Sequence, residues 1–250
     1  MKTVVITGAA SGMGLCATKK FLNNGWQVVM ADYDIKNGQA QADLLAKEFK
    51  DAVQFRQTNV ADAKSVADLA TFSHETFGNI DAIINNAGVF VKGALHEVGE
   101  NDWDRIMAID VKSVYLMTKS FVPDMIQQRN GVILNTASIS GLMGDFNMAA
   151  YSAAKGALTN LVKSMALDYG KYGIRVNNIA PGPTNTPMFQ QNPQAVIDEF
   201  KNASPMKKIV EPEDIANMMF FLASDEAASV TGQNVGVTAG FGIYSSQPQQ

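Results

Sequence analysis

Short apolar runs alternate with longer amphipathic stretches from one end of the chain to the other. Runs rich in β-branched residues at 3–7, 27–31, 53–58, 81–85, 132–136, 175–180 and 234–237 predict strands. Segments with a 3.6-residue apolar period at 12–23, 36–49, 63–77, 102–127, 151–171 and 212–222 predict helices. Asp34 and Asp62 stand where helix N-caps are expected, and Gly25, Gly78 and Gly173 where helices stop. Strands as continuously apolar as "VVI" and "AII" are buried on both faces, as in a parallel sheet. Repeated βα units of this length predict a doubly wound, seven-stranded parallel α/β sheet with helices on both faces.

One domain, 1–244, is expected, with an insertion around 184–205 and a disordered tail at 245–250, "SSQPQQ". The insertion carries Pro187, Pro193 and a short amphipathic piece, "AVIDEF"; a mobile flap and a static excursion both fit it. Apolar residues make up 46% and charged residues 18% of the 250, enough for a sizeable core. A net charge of -4 predicts neither a nucleic-acid nor an anionic-membrane partner. Cys16, the one cysteine, fits a reducing compartment and reads as a small hydrophobe. The N-terminal "VVI" is too short for a secretion signal and "ANMMFFLA" too short to span a bilayer, so a cytoplasmic protein is expected. His74 and His96 lack further ligands at metal spacing, and no metal site is expected.

"TGAASGMG", residues 7–14, follows the first strand and opens the first helix. Gly8, Gly12 and Gly14 there let backbone and helix N-terminus approach a pyrophosphate. Asp32 closes the second strand 18 residues after Gly14. A carboxylate there accepts hydrogen bonds from ribose hydroxyls and repels a 2′-phosphate; with no cation beside it, NAD is favoured over NADP. "NNAG" (85–88), "NTASISG" with Ser138, and "APGPTNTPM" with Thr186 place small polar groups at three further strand ends. Taken alone, NNAG is equally a turn. Tyr151 and Lys155 lie four apart, roughly 400° and about 6 Å along a helix, hence on one face. Ala149, Ala150, Ala153, Ala154 and Gly156 clear bulk from around them, though spacing alone also fits a solvated surface pair.

Together the glycine pattern, NNAG, Ser138, Tyr151-x-x-x-Lys155 and "PGPTNT" resemble the short-chain dehydrogenase/reductase family over essentially the whole chain. The resemblance implies a Rossmann-type domain, usually a homotetramer, that moves hydride between NAD(H) and an alcohol or ketone. It implies Tyr151 as acid/base on the substrate oxygen, Ser138 bonding that oxygen, and Lys155 holding the nicotinamide ribose. Cofactor contacts are implied at Gly8, Ser11, Gly12, Met13, Gly14, Asp32, Tyr33, Asn59, Val60, Asn86, Ala87, Gly88, Tyr151, Lys155, Pro181, Gly182, Thr184 and Thr186. A free phenol titrates near pH 10, so reaching about 7 takes roughly 4 kcal/mol. An ammonium about 4 Å away supplies up to ~4 kcal/mol at an effective dielectric of ~20.

The chain departs from the family pattern at three places. Asp110 stands where asparagine usually completes a proton relay through its backbone carbonyl; the relay is expected to persist, with the Lys155 pKa raised. Asn59 replaces an aspartate, and Thr238-Ala239-Gly240 replaces an acidic-Gly-Gly element, a change that bears on packing or subunit contacts. Substrate contacts are expected at Phe90, Ser138, Ser140, Met143 and Met188, in a lining that also draws on Val89, Ile139, Leu142, Phe146 and Phe189. That apolar lining suits a small or medium hydroxy-ketone, diol or cyclic ketone. A 3-oxoacyl thioester reductase and a catalytically silent NAD-binding sensor are the alternatives. The amphipathic stretches 102–127 and 151–171 are the expected subunit contacts.

Overall fold

The computed structural model describes residues 1–243; the expected tail at 245–250 lies outside them. The strands are β1 (Thr3–Thr7), β2 (Gln27–Asp32), β3 (Val53–Gln57), β4 (Ala82–Asn85), β5 (Gly131–Thr136), β6 (Ile174–Pro181) and β7 (Asn234–Val237). The helices are α1 (Gly12–Asn23), α2 (Ile35–Phe49), α3 (Ala63–Phe77), α4 (Glu100–Ile106), α5 (Ser113–Gln128), α6 (Ala149–Tyr169), α7 (Gln194–Ala203) and α8 (Pro212–Ala223). The strands form one sheet in the order β3-β2-β1-β4-β5-β6-β7, each pair parallel. The order reverses between β1 and β4, which opens a crevice at the carboxyl ends of those strands.

The period-2 alternation of each strand divides the core. Val4, Ile6, Val28, Met30, Ile84 and Leu134 pack on one face with Phe21 of α1, Leu45 of α2 and Ile215 and Met219 of α8. Val5, Val29, Ile83 and Ile133 pack on the other with Leu69 of α3, Phe121 of α5 and Leu158 and Val162 of α6. Asp34 accepts from the Asn37 N–H and Asp62 from the Ser65 N–H, so both cap helices as expected.

Three elements differ from the sequence reading. The single helix expected over 102–127 is α4 and α5 joined by a π-helical turn, Met107–Lys112. The added residue per turn is invisible to a 3.6-residue period, and it carries Asp110 into the interior. The helix expected to reach residue 171 ends at Tyr169, where a tighter turn, Gly170–Tyr172, leads to Gly173 at φ 76°. The insertion holds the ten-residue helix α7 rather than only a six-residue amphipathic piece.

A row of asparagines crosses the sheet one level below the crevice. Asn85, Asn135, Asn178 and Asn234 are register partners on β4 to β7. Asn85 donates to Asn135 (2.8 Å), Asn135 to Asn178 (2.9 Å), and Asn178 to Asn234 (2.7 Å). Asn178 and Asn234 also donate to the Leu158 and Thr159 carbonyls, which fixes α6 against the sheet. Asn135→Ala leaves a buried donor and a buried acceptor without partners and should cost about 3 kcal/mol. Chemical denaturation measures this; a loss below about 0.5 kcal/mol would show that the row contributes little.

Candidate active site

The floor of the crevice is the turn from β1 into α1. Gly8 (φ 66°) and Gly12 (φ 51°) adopt left-handed backbone that side chains disfavour. A Cβ on Gly14 would lie 2.1 Å from the Gly8 carbonyl oxygen, so glycine is required for helix and strand to approach. Ser11 precedes α1 without a side-chain cap, and no acidic residue occupies the first turn. The first N–H groups of α1 therefore face the crevice unsatisfied by side chains. Asp32 is pinned by the Ala10 and Asp34 N–H groups, both at 2.9 Å, one on each carboxylate oxygen. Thr186 closes over this loop, with its Cγ2 3.5 Å from where a Gly12 Cβ would stand. Pro181, Gly182 and Thr184 lead into it from the end of β6, and Thr184 is buried. At the rim, Tyr33 is 73% exposed. Asn59 folds its side chain back onto the Ala61 N–H and Val60 is buried. Met13 is half-buried against the core.

The NNAG loop is held by Thr7, whose hydroxyl accepts from the Asn86 and Ala87 N–H groups, both at 3.0 Å. Asn86 in turn donates to the Thr7 carbonyl at 3.0 Å. Beyond it, the Val89 N–H donates to one oxygen of Asp110 at 2.8 Å. The other oxygen of Asp110 lies 3.0 Å from Lys155 Nζ, and both side chains are almost wholly buried. Lys155 also donates to the Thr136 carbonyl at 2.8 Å. A Cβ on Gly88 would stand 3.0 Å from Asp110 and 3.4 Å from Lys155 Nζ, so the loop backbone covers the ion pair. Burial alone would lower the Lys155 pKa; the Asp110 carboxylate, assisted by Tyr151, more than offsets this and holds it above the usual lysine range. With the folded value raised, the pair's stabilisation is complete below the unfolded value, about 10.4, and is lost only as pH climbs through the folded one.

Lys155 Nζ lies 5.7 Å from the Tyr151 ring centroid, and the Phe90 ring meets that ring edge-on at 5.1 Å. Tyr151 is only partly buried, against a cluster in which Ala150 and Ala154 are fully covered; these alanines bring α6 close to Ile106 and Val91. Ser138 is buried and its hydroxyl accepts from the Ser140 N–H at 3.1 Å, which leaves its own proton to donate. Ser140 Oγ donates to Asp145 at 3.0 Å.

The wall of the crevice beyond Tyr151, where substrate contacts are expected, is assembled from three separate segments. The end of the described chain crosses the loop after β5: a Cβ on Gly242 would meet Ile139 at 2.4 Å and the Met143 sulfur at 3.2 Å. Phe189, Phe200 and Phe241 form a file of rings at 5.6 and 5.8 Å, joining the insertion to this C-terminal stretch. Ala239, left-handed at φ 53°, gives its carbonyl to Ser204 and Met206. Thr238 packs on Gly182. Thr238-Ala239-Gly240 thus fastens the insertion to the body of its own chain. Met188 and Leu142 are half exposed, whereas Phe146 is 95% exposed and stands clear of the others. Reasoning from sequence placed Thr7 in the glycine motif without its hold on the NNAG loop, and missed Thr136, Asp145, Phe200 and Phe241. Only Thr7, a polar residue closing an apolar strand just before Gly8, carried a local signal.

A family model described as enoyl-(acyl carrier protein) reductase matches residues 8–242. Meso-2,3-butanediol dehydrogenase of Serratia marcescens is 39% identical over 248 residues, covering 99% of this chain and 97% of that protein. The chain belongs to the short-chain dehydrogenase/reductase family. Among solved structures, levodione reductase superposes with a TM-score of 0.92 at 31% identity, covering 96% of each chain. A 3-ketoacyl-(acyl-carrier-protein) reductase from Brucella melitensis, complexed with NADH, gives 0.88 at 31%, covering 96% of this chain and 97% of that one.

This short-chain dehydrogenase/reductase is an oxidoreductase built on a Rossmann-type sheet. Its crevice fits a dinucleotide: Gly8 and Gly14 have no room for a Cβ, the first N–H groups of α1 have no side-chain cap, and a fixed carboxylate stands at the end of β2. Cys16 lies away from these groups and donates to Glu213 at 3.3 Å. Burial, then that carboxylate, push its thiol up to about 11, so it stays a thiol at neutral pH. Among the described residues no helix is long and apolar enough to cross a membrane.

Proposed function

We propose that this protein transfers hydride between NAD(H) and a secondary alcohol or ketone, with Tyr151 as the acid/base. The observation that carries the reading is Tyr151 beside the buried Lys155 ammonium, at the carboxyl edge of the sheet. The first turn of α1, Asp32, the 86–88 loop and Lys155 would hold the dinucleotide. When bound, the nicotinamide supplies the hydride acceptor or donor. Ser138 donates to the substrate oxygen, and Tyr151 takes the hydroxyl proton in oxidation or returns it in reduction. Lys155, charged and within the same crevice, favours the phenolate. Asp32 supports NAD over NADP, since its pinned carboxylate would face a 2′-phosphate with like charge.

An apolar lining with Ser138 and Tyr151 as its polar focus supports a small or medium hydroxy-ketone, diol or cyclic ketone. The names of the butanediol dehydrogenase and levodione reductase point the same way. A 3-oxoacyl thioester reductase is the second reading, favoured by the name of the Brucella relative. The outward faces of α5 and α6 leave a groove of about 440 Å³ lined by Val114, Tyr115, Val122, Ile126 and Leu161. We assign this face to subunit contact in a homotetramer, and a chain with a single cysteine fits a cytoplasmic enzyme.

Tyr151→Phe should abolish turnover on a panel of alcohols and ketones while NAD(H) affinity stays within a few-fold. Turnover at the parent rate would end the assignment. Asp32→Ala should lower kcat/KM for NAD⁺ by about ten-fold or more and raise it for NADP⁺. Steady-state kinetics with both cofactors reads this, and an unchanged ratio would remove Asp32 from cofactor selection.

A further inference from the structure

The crevice contains a full negative charge that the acid/base chemistry does not require. We propose that Asp110 is a positioning residue whose buried carboxylate, by pairing with Lys155, sets the pH window in which Tyr151 exchanges its proton. The inference deepens the proposed function and rests on Tyr151 acting as the acid/base.

The geometry is unusually restrictive. Asp110 is 2% exposed and reaches the crevice because the π-helical turn Met107–Lys112 carries it inward. Its two oxygens are committed in different directions, one to the Val89 N–H and one to Lys155 Nζ. Water screens a pair this deeply buried less than a surface pair, so each charge acts more strongly on the other. Two consequences follow. A phenol next to a lone ammonium is strongly drawn towards phenolate; next to an ammonium already matched by a carboxylate, it is drawn less. A lone buried ammonium sheds its proton readily; a paired one keeps it. Asp110 therefore moves both edges of the active window towards higher pH.

Other charges around the group are few. Tyr151 shares helix α6 with Lys155, and it and Asp110 are the groups that act on the lysine. The turn Ile139–Gly141, packed against α6, has no titratable side chain, and Asp145 just beyond it is exposed and bonded to Ser140. Strand β5 has no titratable side chain either, and Arg175 of β6 is engaged with the Leu222 and Ser224 carbonyls. Glu100, Asp102, Asp104 and Arg105 of α4 are exposed to solvent.

Asp110→Asn tests the charge alone: the shape is kept and an amide oxygen can still accept from Val89. Both limbs of the kcat/KM profile for alcohol oxidation should move to lower pH, by about one unit. In the protein without cofactor, tyrosinate absorbance, taken as the difference from Tyr151→Phe, should move the same way. Superimposable profiles and titrations, or movement to higher pH, would overturn the proposal. Stability provides a second check that does not depend on turnover. Lys155→Met strands the carboxylate and should lower the melting temperature; Lys155→Met combined with Asp110→Asn should recover much of that loss. Simple additivity of the two substitutions would show that no pair exists and would overturn the proposal. If Tyr151→Phe proves active, the acid/base reading falls, and the absorbance titration still decides whether Asp110 governs the phenol.

Discussion

A charged lysine with almost no access to water is the constraint around which this molecule is organised. Leaving such an ammonium without a partner would cost about 3–5 kcal/mol. The fold supplies two partners: the Thr136 carbonyl at the end of β5 and the Asp110 carboxylate from the π-helical turn. Each depends on a different element holding its position. The asparagine row fixes β5 and α6 relative to each other, and the Val89 N–H fixes the carboxylate. A glycine at 88 then lets the NNAG loop cover the pair. The same loop borders the glycine turn through Thr7 and Asn86, so the place that would hold a dinucleotide and the Tyr151–Lys155 pair proposed for proton transfer share one scaffold.

The parts of this arrangement that were legible in the sequence are those with short-range causes. Strands announced themselves as β-branched runs because both sheet faces are buried, and Asp34, Asp62, Gly78 and Gly173 mark ends that obey local capping rules. The glycine loop, Ser138 and the Tyr151–Lys155 spacing were readable because strand end, turn and helix follow one another directly. What escaped has long-range causes. The π-helical turn adds one residue to a pattern whose polar and apolar positions still look helical. Phe241 meets Phe200 across 41 positions, and the asparagine row links four strands, so no local window contains either partner set. Asp110 was recognised as a departure at its position, but its direct contact with Lys155 depends on that turn.

The loop-built wall of the crevice illustrates a different principle. Its walls come from the loop after β5, the insertion after β6 and the last described residues, and the segments meet through ring packing and through the Ala239 carbonyl, which accepts from Ser204 and Met206. Loops carried on a rigid sheet can change shape without disturbing the chemistry beneath them. Tyr151 and Lys155 stand on α6 and Ser138 just beyond the end of β5, whereas the walls around them stand in loops.

The most direct measurement is NMR of the lysine side-chain nitrogens, with Lys155 assigned by its loss in Lys155→Met and followed through a pH titration. The account predicts that Lys155 keeps its proton after exposed lysines have released theirs. A Lys155 resonance that turns to neutral amine ahead of the exposed lysines would contradict it.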